Sequence, residues 1–205
     1  MPRPRSQSRR QIVEAAQVLL RRQGYQGTGL AQIIDASGAP KGSVYFLFPG
    51  GKQQIAIEAV AASATEFNEM IKTAQQSARS LPDWIHLMAE HFAASLSATG
   101  YTEGCPITTV TLDSVPGSPP LTDACRDAYD LWLSTLAGGL AAYGVPAPAA
   151  PGLARFLLIS LEGALALCRA YRSTAPLLEV EEHVLALLKP YVESSSTSFG
   201  IDGHG

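Results

Sequence analysis

The sequence predicts an all-α fold, and three observations point that way. Apolar residues recur at intervals of three and four through most of the 205 residues, which is the spacing of a helix face. Alternation with a period of two is confined to fragments such as TTVTL at 108–112. Glycine and proline punctuate the helical stretches at Gly24, Gly38, PGG (49–51) and PAPAAPG (146–152), where they stop helices and open turns.

Taken in order, a first helix is expected over 6–23, with Ile12, Ala16, Leu19 and Leu20 on one face and Gly24 as its stop. A short second helix follows Thr28, a good N-cap residue type; Leu30, Ile33 and Ile34 form its apolar stripe and Gly38 ends it. A third short helix is expected near 41–47, and a long one from about Lys52 to Gln75. The stretch 81–98 places Trp84, Leu87, Met88, His91, Phe92 and Leu96 at helical spacing, and 105–114 reads as a short helix or a turn of one. Residues 119–144 form another helix, with Leu121, Cys125, Ala128, Trp132 and Leu136 in register. PAPAAPG reads as a linker of low helical competence. The segment 153–173 is apolar nearly all round and must be buried on most sides. An amphipathic helix over 176–192 precedes a tail, 193–205, whose ESSSTS composition reads as disordered.

Composition excludes several classes. No run of about 18 consecutive apolar residues exists, so no membrane span is read. The basic N-terminus MPRPRSQSRR lacks the apolar stretch of a secretory signal, and a cytoplasmic location follows. The three cysteines, Cys105, Cys125 and Cys168, are odd in number and far apart, so neither a disulfide framework nor a zinc knuckle is indicated; buried thiols are the simple reading, with redox sensing by Cys105 as its rival. His86, Glu90 and His91 do not match His-Glu-x-x-His, and no metal or cofactor is expected. FLFPGGKQ superficially suggests a phosphate-cradling loop, but Phe46 stands where its first glycine belongs and Gln53 replaces its Ser/Thr. No Gly-x-Ser-x-Gly or other nucleophile–base set is found, which argues against an enzyme.

Charge is polarised along the chain. Residues 1–52 hold eight basic groups and two acids, a balance of +6, and the remaining 153 residues carry −9 of the net −3. One end is therefore suited to a polyanion, although a merely solvated basic arm has the same composition.

The stretch SGAPKGSVYFLF (37–48) decides between the two. A helix, a glycine-containing turn and a second helix make a helix-turn-helix unit, whose second helix enters the DNA major groove. At about 100° per residue, Val44, Leu47 and Phe48 share one face and dock inward, whereas Gly42, Ser43, Tyr45 and Phe46 face outward. Gly42 costs about 1 kcal/mol in a helix, which makes sense where backbone must approach DNA closely. Ser43 suits a base edge or phosphate, and Lys41 and Tyr45 suit phosphates. Thr28 and Lys52 stand at helix N-termini that favour an anion. Arg3 and Arg5 suit a neighbouring minor groove.

Residues 24–60, GYQGTGLAQIIDASGAPKGSVYFLFPGGKQQIAIEAV, closely resemble the DNA-binding domain of TetR/AcrR-type transcriptional regulators, with SGAPKGSVYFLFPGGK the most specific part. GCPITTVTLD (104–113) and LEGALALCRA (161–170) look like the LmrA/YxaF-like branch. The resemblance implies an N-terminal three-helix helix-turn-helix DNA-binding domain (1–52, with the motif at about 28–48) and a C-terminal helical ligand-binding and dimerisation domain (53–192). It also implies a homodimer on double-stranded operator DNA, and a repressor released by a small-molecule effector. The family often has a His where Leu47 stands, and that His often helps hold the backbone; Leu47 cannot, so the clamp leans on Tyr45, Lys41 and Lys52. FLLISLEGALALC (156–168) is too apolar for a solvent-facing surface, and Gly163 and Ala164 permit close helix approach; homodimerisation would bury it, as would a monomer core.

Within such a second domain, Phe67, Met70, Trp84, Met88, Phe92, Tyr129 and Trp132 are candidates to line an apolar pocket, with plain core packing as the alternative for each. Glu162 is a lone acid in an apolar run; it either pairs with Arg155 or Arg169 or meets a polar ligand group. The expectation is thus a ligand-responsive DNA-binding regulator, against a small all-α enzyme or a helical oligomeric adaptor without DNA binding.

Overall fold

The structure is a computed structural model that describes the backbone of residues 5–197 and the side chains of residues 6–191. Among the described residues there are nine helices and no strand: α1 (Arg5–Gln23), α2 (Leu30–Ser37), α3 (Lys41–Leu47), α4 (Gly51–Ser77), α5 (Leu81–Ala98), α6 (Pro106–Ser114), α7 (Pro119–Ala142), α8 (Ala150–Tyr171) and α9 (Ala175–Thr197). Most ends fall within two or three residues of those expected from apolar spacing.

Three local readings are corrected. The N-cap of α2 is Gly29, not Thr28: the Gln32 side chain accepts from the Gly29 N–H at 2.7 Å, and the Thr28 hydroxyl turns inward to donate to the Gly24 carbonyl at 2.6 Å. The PAPAAPG linker is partly helical, because Pro151 falls in the first turn of α8, where a missing N–H leaves no bond unmade. The last helix continues through 193–197, inside the segment read as a tail; residues 198–205 lie outside the described residues.

The chain forms two compact units, 1–67 with 102–130, and 68–101 with 131–205. The first therefore joins the sequence's N-terminal domain to α6 and to parts of α4 and α7. In it, α1 packs on α2, α3 and α6. Ile12, Ala16 and Leu20 of α1, Ile33 of α2, Val44 and Phe48 around α3, and Ile55 and Ala59 of α4 are buried. Ile107 and Val110 of α6 and Leu121 and Cys125 of α7 complete this core.

In the second unit α5, α8 and α9 pack together around Trp84, Met88, Trp132, Leu136, Leu140, Leu165 and Val184. Trp84 is fully buried and donates from Nε1 to the Ile71 carbonyl at 3.1 Å. Gly139 is required against its ring, since a Cβ there would lie 2.2 Å from Trp84 Cη2. The apolar α8 contains an 18-residue stretch of mean hydropathy 1.5, enough by length and composition to cross a membrane, where counting consecutive apolar residues finds no span. Only 33% of that stretch is buried, less than the sequence suggested. Ala154, Leu157, Leu158, Ala164, Leu165 and Cys168 face the core, while Phe156, Ile159, Leu167 and Tyr171 are exposed.

Adjacent glycines of α7 provide a test. Gly138 is exposed, and a Cβ there meets nothing within 4 Å, so Gly138→Ala should stabilise by about 0.5–1 kcal/mol. Gly139→Ala should destabilise by about 1–3 kcal/mol through overpacking on Trp84. Urea unfolding monitored by circular dichroism reads both, and opposite signs are expected.

Candidate nucleic-acid interface

The geometry around α3 follows from its length. Seven residues cannot sustain a helix alone, so its orientation comes from what it buries and from how its ends are held. Gly38 supplies the left-handed turn after α2 at φ +61°, and its N–H closes on the Asp35 carbonyl at 3.3 Å. Pro40 precedes α3, and its carbonyl accepts from the Ser43 and Val44 N–H groups at 2.8 and 3.3 Å. Val44 and Phe48 are each 1% exposed. Gly51, at φ +62°, bonds back to the Phe48 carbonyl at 2.9 Å and starts α4.

What remains outside is the expected set. Lys41 and Gly42 are exposed, Ser43 is half-buried, and Tyr45 and Phe46 are 53% and 68% exposed. Two large aromatics standing beside a lysine on a small helix form an apolar and hydrogen-bonding face that is largely open to solvent. A Cβ at Gly42 would meet nothing within 4 Å, so no contact among the described residues demands glycine there. Arg3 lies outside the described residues, and of Arg5 only the backbone, at the start of α1, is described.

Two members of the set are occupied internally. Thr28 is buried and bonded to Gly24. Lys52 donates from Nζ to the Tyr25 carbonyl at 2.9 Å and sits 4.0 Å from the centre of the Tyr25 ring, a cation–π contact that tethers the start of α4 to the loop after α1.

Internal pairing also claims much of the basic charge. Arg9 pairs with Glu58, and Arg10 with Glu14. Arg21 and Arg22 both reach Glu103, at 3.1 and 3.0 Å. The Gly104 N–H donates to the Arg21 carbonyl at 3.1 Å, and the Thr109 hydroxyl to the Leu20 carbonyl at 2.8 Å. Asp113 accepts from the Gln26 N–H at 2.8 Å. Together these bonds satisfy the C-terminal end of α1 with groups from α6 and the loop before it. Arg9, Glu58, Glu103 and Asp113 were not singled out as functional from sequence. Their long-range partners are 38 to 87 positions away, and helical periodicity carries no signal over that distance.

The candidate effector residues divide by burial. Trp84, Met88 and Trp132 are buried. Trp84 also packs on Tyr143, with ring centres 5.7 Å apart. Phe67, Met70 and Phe92 are half-buried, as is Tyr129, whose hydroxyl lies 2.8 Å from that of Thr108. Glu162 is also half-buried, so it keeps some hydration. An open cleft of about 560 Å³ in the second unit is lined instead by Arg79, Ser80, Pro82, Asp83, His86, Glu181 and Leu185. There His86 of α5 meets Glu181 of α9 at 2.8 Å and Glu90 at 3.4 Å. The His86 pKa is raised, first by the hydrogen bond to Glu181 and further by Glu181, Glu90 and Asp83 as charges.

Two family models match the chain. "Bacterial regulatory proteins, tetR family" covers residues 12–59, and "Transcriptional regulator LmrA/YxaF-like, C-terminal domain" covers residues 82–183. The HTH-type transcriptional regulator LmrA of Bacillus subtilis is 35% identical over 182 residues, spanning 89% of this chain and 97% of that protein. The HTH-type transcriptional regulator YxaF of the same strain is 30% identical, over 90% of this chain and 97% of its own length. A crystal structure of a TetR transcriptional regulator from Chloroflexus aurantiacus superposes with a TM-score of 0.76 at 26% identity, covering 90% of this chain and 96% of that one.

Two measurements check the local geometry. Lys52→Ala should lower stability by about 1–2 kcal/mol in urea unfolding, because a packed cation and its hydrogen bond are lost. For His86, a folded-state pKa above the ordinary value means that its contribution is complete below about pH 6.5 and disappears as pH rises through the raised value. The wild-type Tm should therefore fall from pH 6 towards pH 8 by an amount that His86→Gln removes.

Proposed function

Since the chain belongs to the TetR family of DNA-binding transcriptional regulators, we propose that it acts as a homodimeric repressor, released from a palindromic operator by a small, largely apolar effector. The observation that carries this reading is the outward face of α3. Lys41, Gly42, Ser43, Tyr45 and Phe46 are presented together on a helix short enough to lie in a major groove. Arg3 and Arg5 add minor-groove or phosphate contacts. Thr28 and Lys52 serve the same surface from behind, by holding the loop after α1 and the start of α4.

Dimerisation is supported by α8. Phe156, Ile159, Gly163, Ala166 and Ala170 recur every three or four residues along its exposed side, flanked by Leu167 and Tyr171. Small residues at 163, 166 and 170 let a second helix come close, and a two-fold partner presents the same stripe. Exposed Leu178 and Leu187 extend apolar surface onto α9. Burying these faces in a dimer gives the apolar α8 a role in a cytoplasmic protein.

Response to an effector is supported by chain continuity. α4 runs unbroken from the turn behind α3 to Ser77, so a displacement along it reaches the reading helix and alters the spacing of two heads in a dimer. Among the candidate effector residues, half-buried Phe67, Met70, Phe92, Tyr129 and Glu162 retain surface for a ligand. Trp84, Met88 and Trp132 are buried in the core of the second unit.

Gly42→Ala tests the reading directly. Nothing surrounds position 42, so the variant should be as stable as wild type, or up to about 1 kcal/mol more stable. Its affinity for DNA from upstream of the protein's own gene, read by fluorescence anisotropy at low salt, should fall at least about tenfold, as for loss of a close contact. Tyr45→Ala should also weaken binding while leaving Tm within a few degrees. Unaltered affinity in both variants would place DNA elsewhere on the molecule.

A further inference from the structure

Arg9 belongs to the basic N-terminal segment, and composition alone would assign it to a phosphate. The structure turns it inward. From α1, its Nη1 donates to the Leu47 carbonyl at 3.0 Å, which belongs to the last residue of α3. Its guanidinium lies 4.6 Å from the centre of the Phe48 ring. Its Nε donates to Glu58 Oε2 at 3.0 Å, and Nη2 bonds the other carboxylate oxygen. Glu58, on α4, is further held by the Gln54 amide at 3.1 Å. A single planar cation thus joins α1, the end of α3 and α4.

Each contact has a physical reason. A helix leaves its last carbonyls unpaired and carries partial negative charge there, so a cation at that end is favourable. A guanidinium can serve a carbonyl with one edge and a carboxylate with its fork, and still stack on a ring; an ammonium cannot do all three. α3 has only seven residues, so little within it resists a tilt about the Val44–Phe48 anchor. A tilt of a few degrees would move Tyr45 and Phe46 relative to the groove.

We propose that Arg9 is a positioning residue for DNA recognition: clamped by Glu58, it fixes the C-terminal end of α3 in the orientation that reads DNA, and makes no phosphate contact of its own. The proposal rests on α3 being the reading helix. It carries a consequence of unusual sign. Removing the acid Glu58 raises the positive charge beside the interface, and electrostatics alone would then strengthen DNA binding. Loss of positioning weakens it instead.

The test compares wild type with Arg9→Lys, Arg9→Ala and Glu58→Gln, each confirmed folded by circular dichroism and Tm. The probe is a duplex selected from a random pool by the wild-type protein, with Kd measured at several salt concentrations. Amide hydrogen exchange of the free proteins is followed in parallel. Glu58→Gln and Arg9→Ala should each weaken binding by roughly five- to tenfold, Arg9→Lys should not rescue, and the slope of log Kd against log salt should stay as in wild type. Exchange should accelerate at the amides of Val44–Phe48 in all three variants. Tighter or unaltered binding by Glu58→Gln overturns the proposal. So does a slope lowered by about 0.9 per protomer in Arg9→Ala, the mark of one lost phosphate contact, or unchanged exchange in α3. If the selection yields no duplex, the α3 reading itself fails, and the exchange measurement still decides whether Arg9 holds the helix.

Discussion

A helix of seven residues cannot hold its own shape, and the arrangement of the first unit answers that constraint. Nucleating so short a helix is unfavourable and its few internal bonds do not compensate. α3 exists because Val44 and Phe48 are removed from water where the helix packs on α1. Its entry is set by Gly38 and Pro40, and its exit by the Phe48–Gly51 turn. Because the inward face is committed to burial, the outward one is free to carry residues that would be costly elsewhere: a glycine within a helix and two exposed aromatics.

The same economy explains the electrostatics. A strongly basic N-terminal segment would repel itself in a compact fold. Among the described residues of that segment, Glu58, Glu14 and Glu103 take up Arg9, Arg10, Arg21 and Arg22, and Lys41 stays exposed beside Gly42, Tyr45 and Phe46. Glu103 and Asp113 lie beyond α5 in sequence yet belong to the unit that holds α3. The end of α1 is therefore finished by α6, a helix covered by the model for the C-terminal domain. The family's division into an N-terminal and a C-terminal model does not coincide with the division of contacts, and α6 stands with the unit that holds α3.

The second unit follows a different logic. Its core is built on Trp84, locked by one hydrogen bond and by a glycine that admits its ring. Residues that composition would offer to a ligand, Trp84, Met88 and Trp132, are consumed by this packing. Period alone cannot separate a pocket wall from a core, because both are apolar residues at helical spacing. α8 shows the converse: its apolar excess exceeds what one copy of the chain buries.

Helix number, order and approximate ends were legible in the sequence, because they depend on local terms: spacing of apolar residues, glycine and proline stops, and the intrinsic cost of breaking a helix. The third helix and its two faces were legible for the same reason, from Val44, Phe48 and Gly42. Where local rules compete, sequence misplaced them. Thr28 is a good cap, but its hydroxyl found a closer partner in Gly24, and Gly29 with Gln32 took the end of α2. The tertiary structure alone decided which cations turn inward and which large aromatics are core. It also decided that α6 completes the first unit, since each depends on side chains dozens of residues apart meeting at a few ångströms, a distance that no sequence interval encodes.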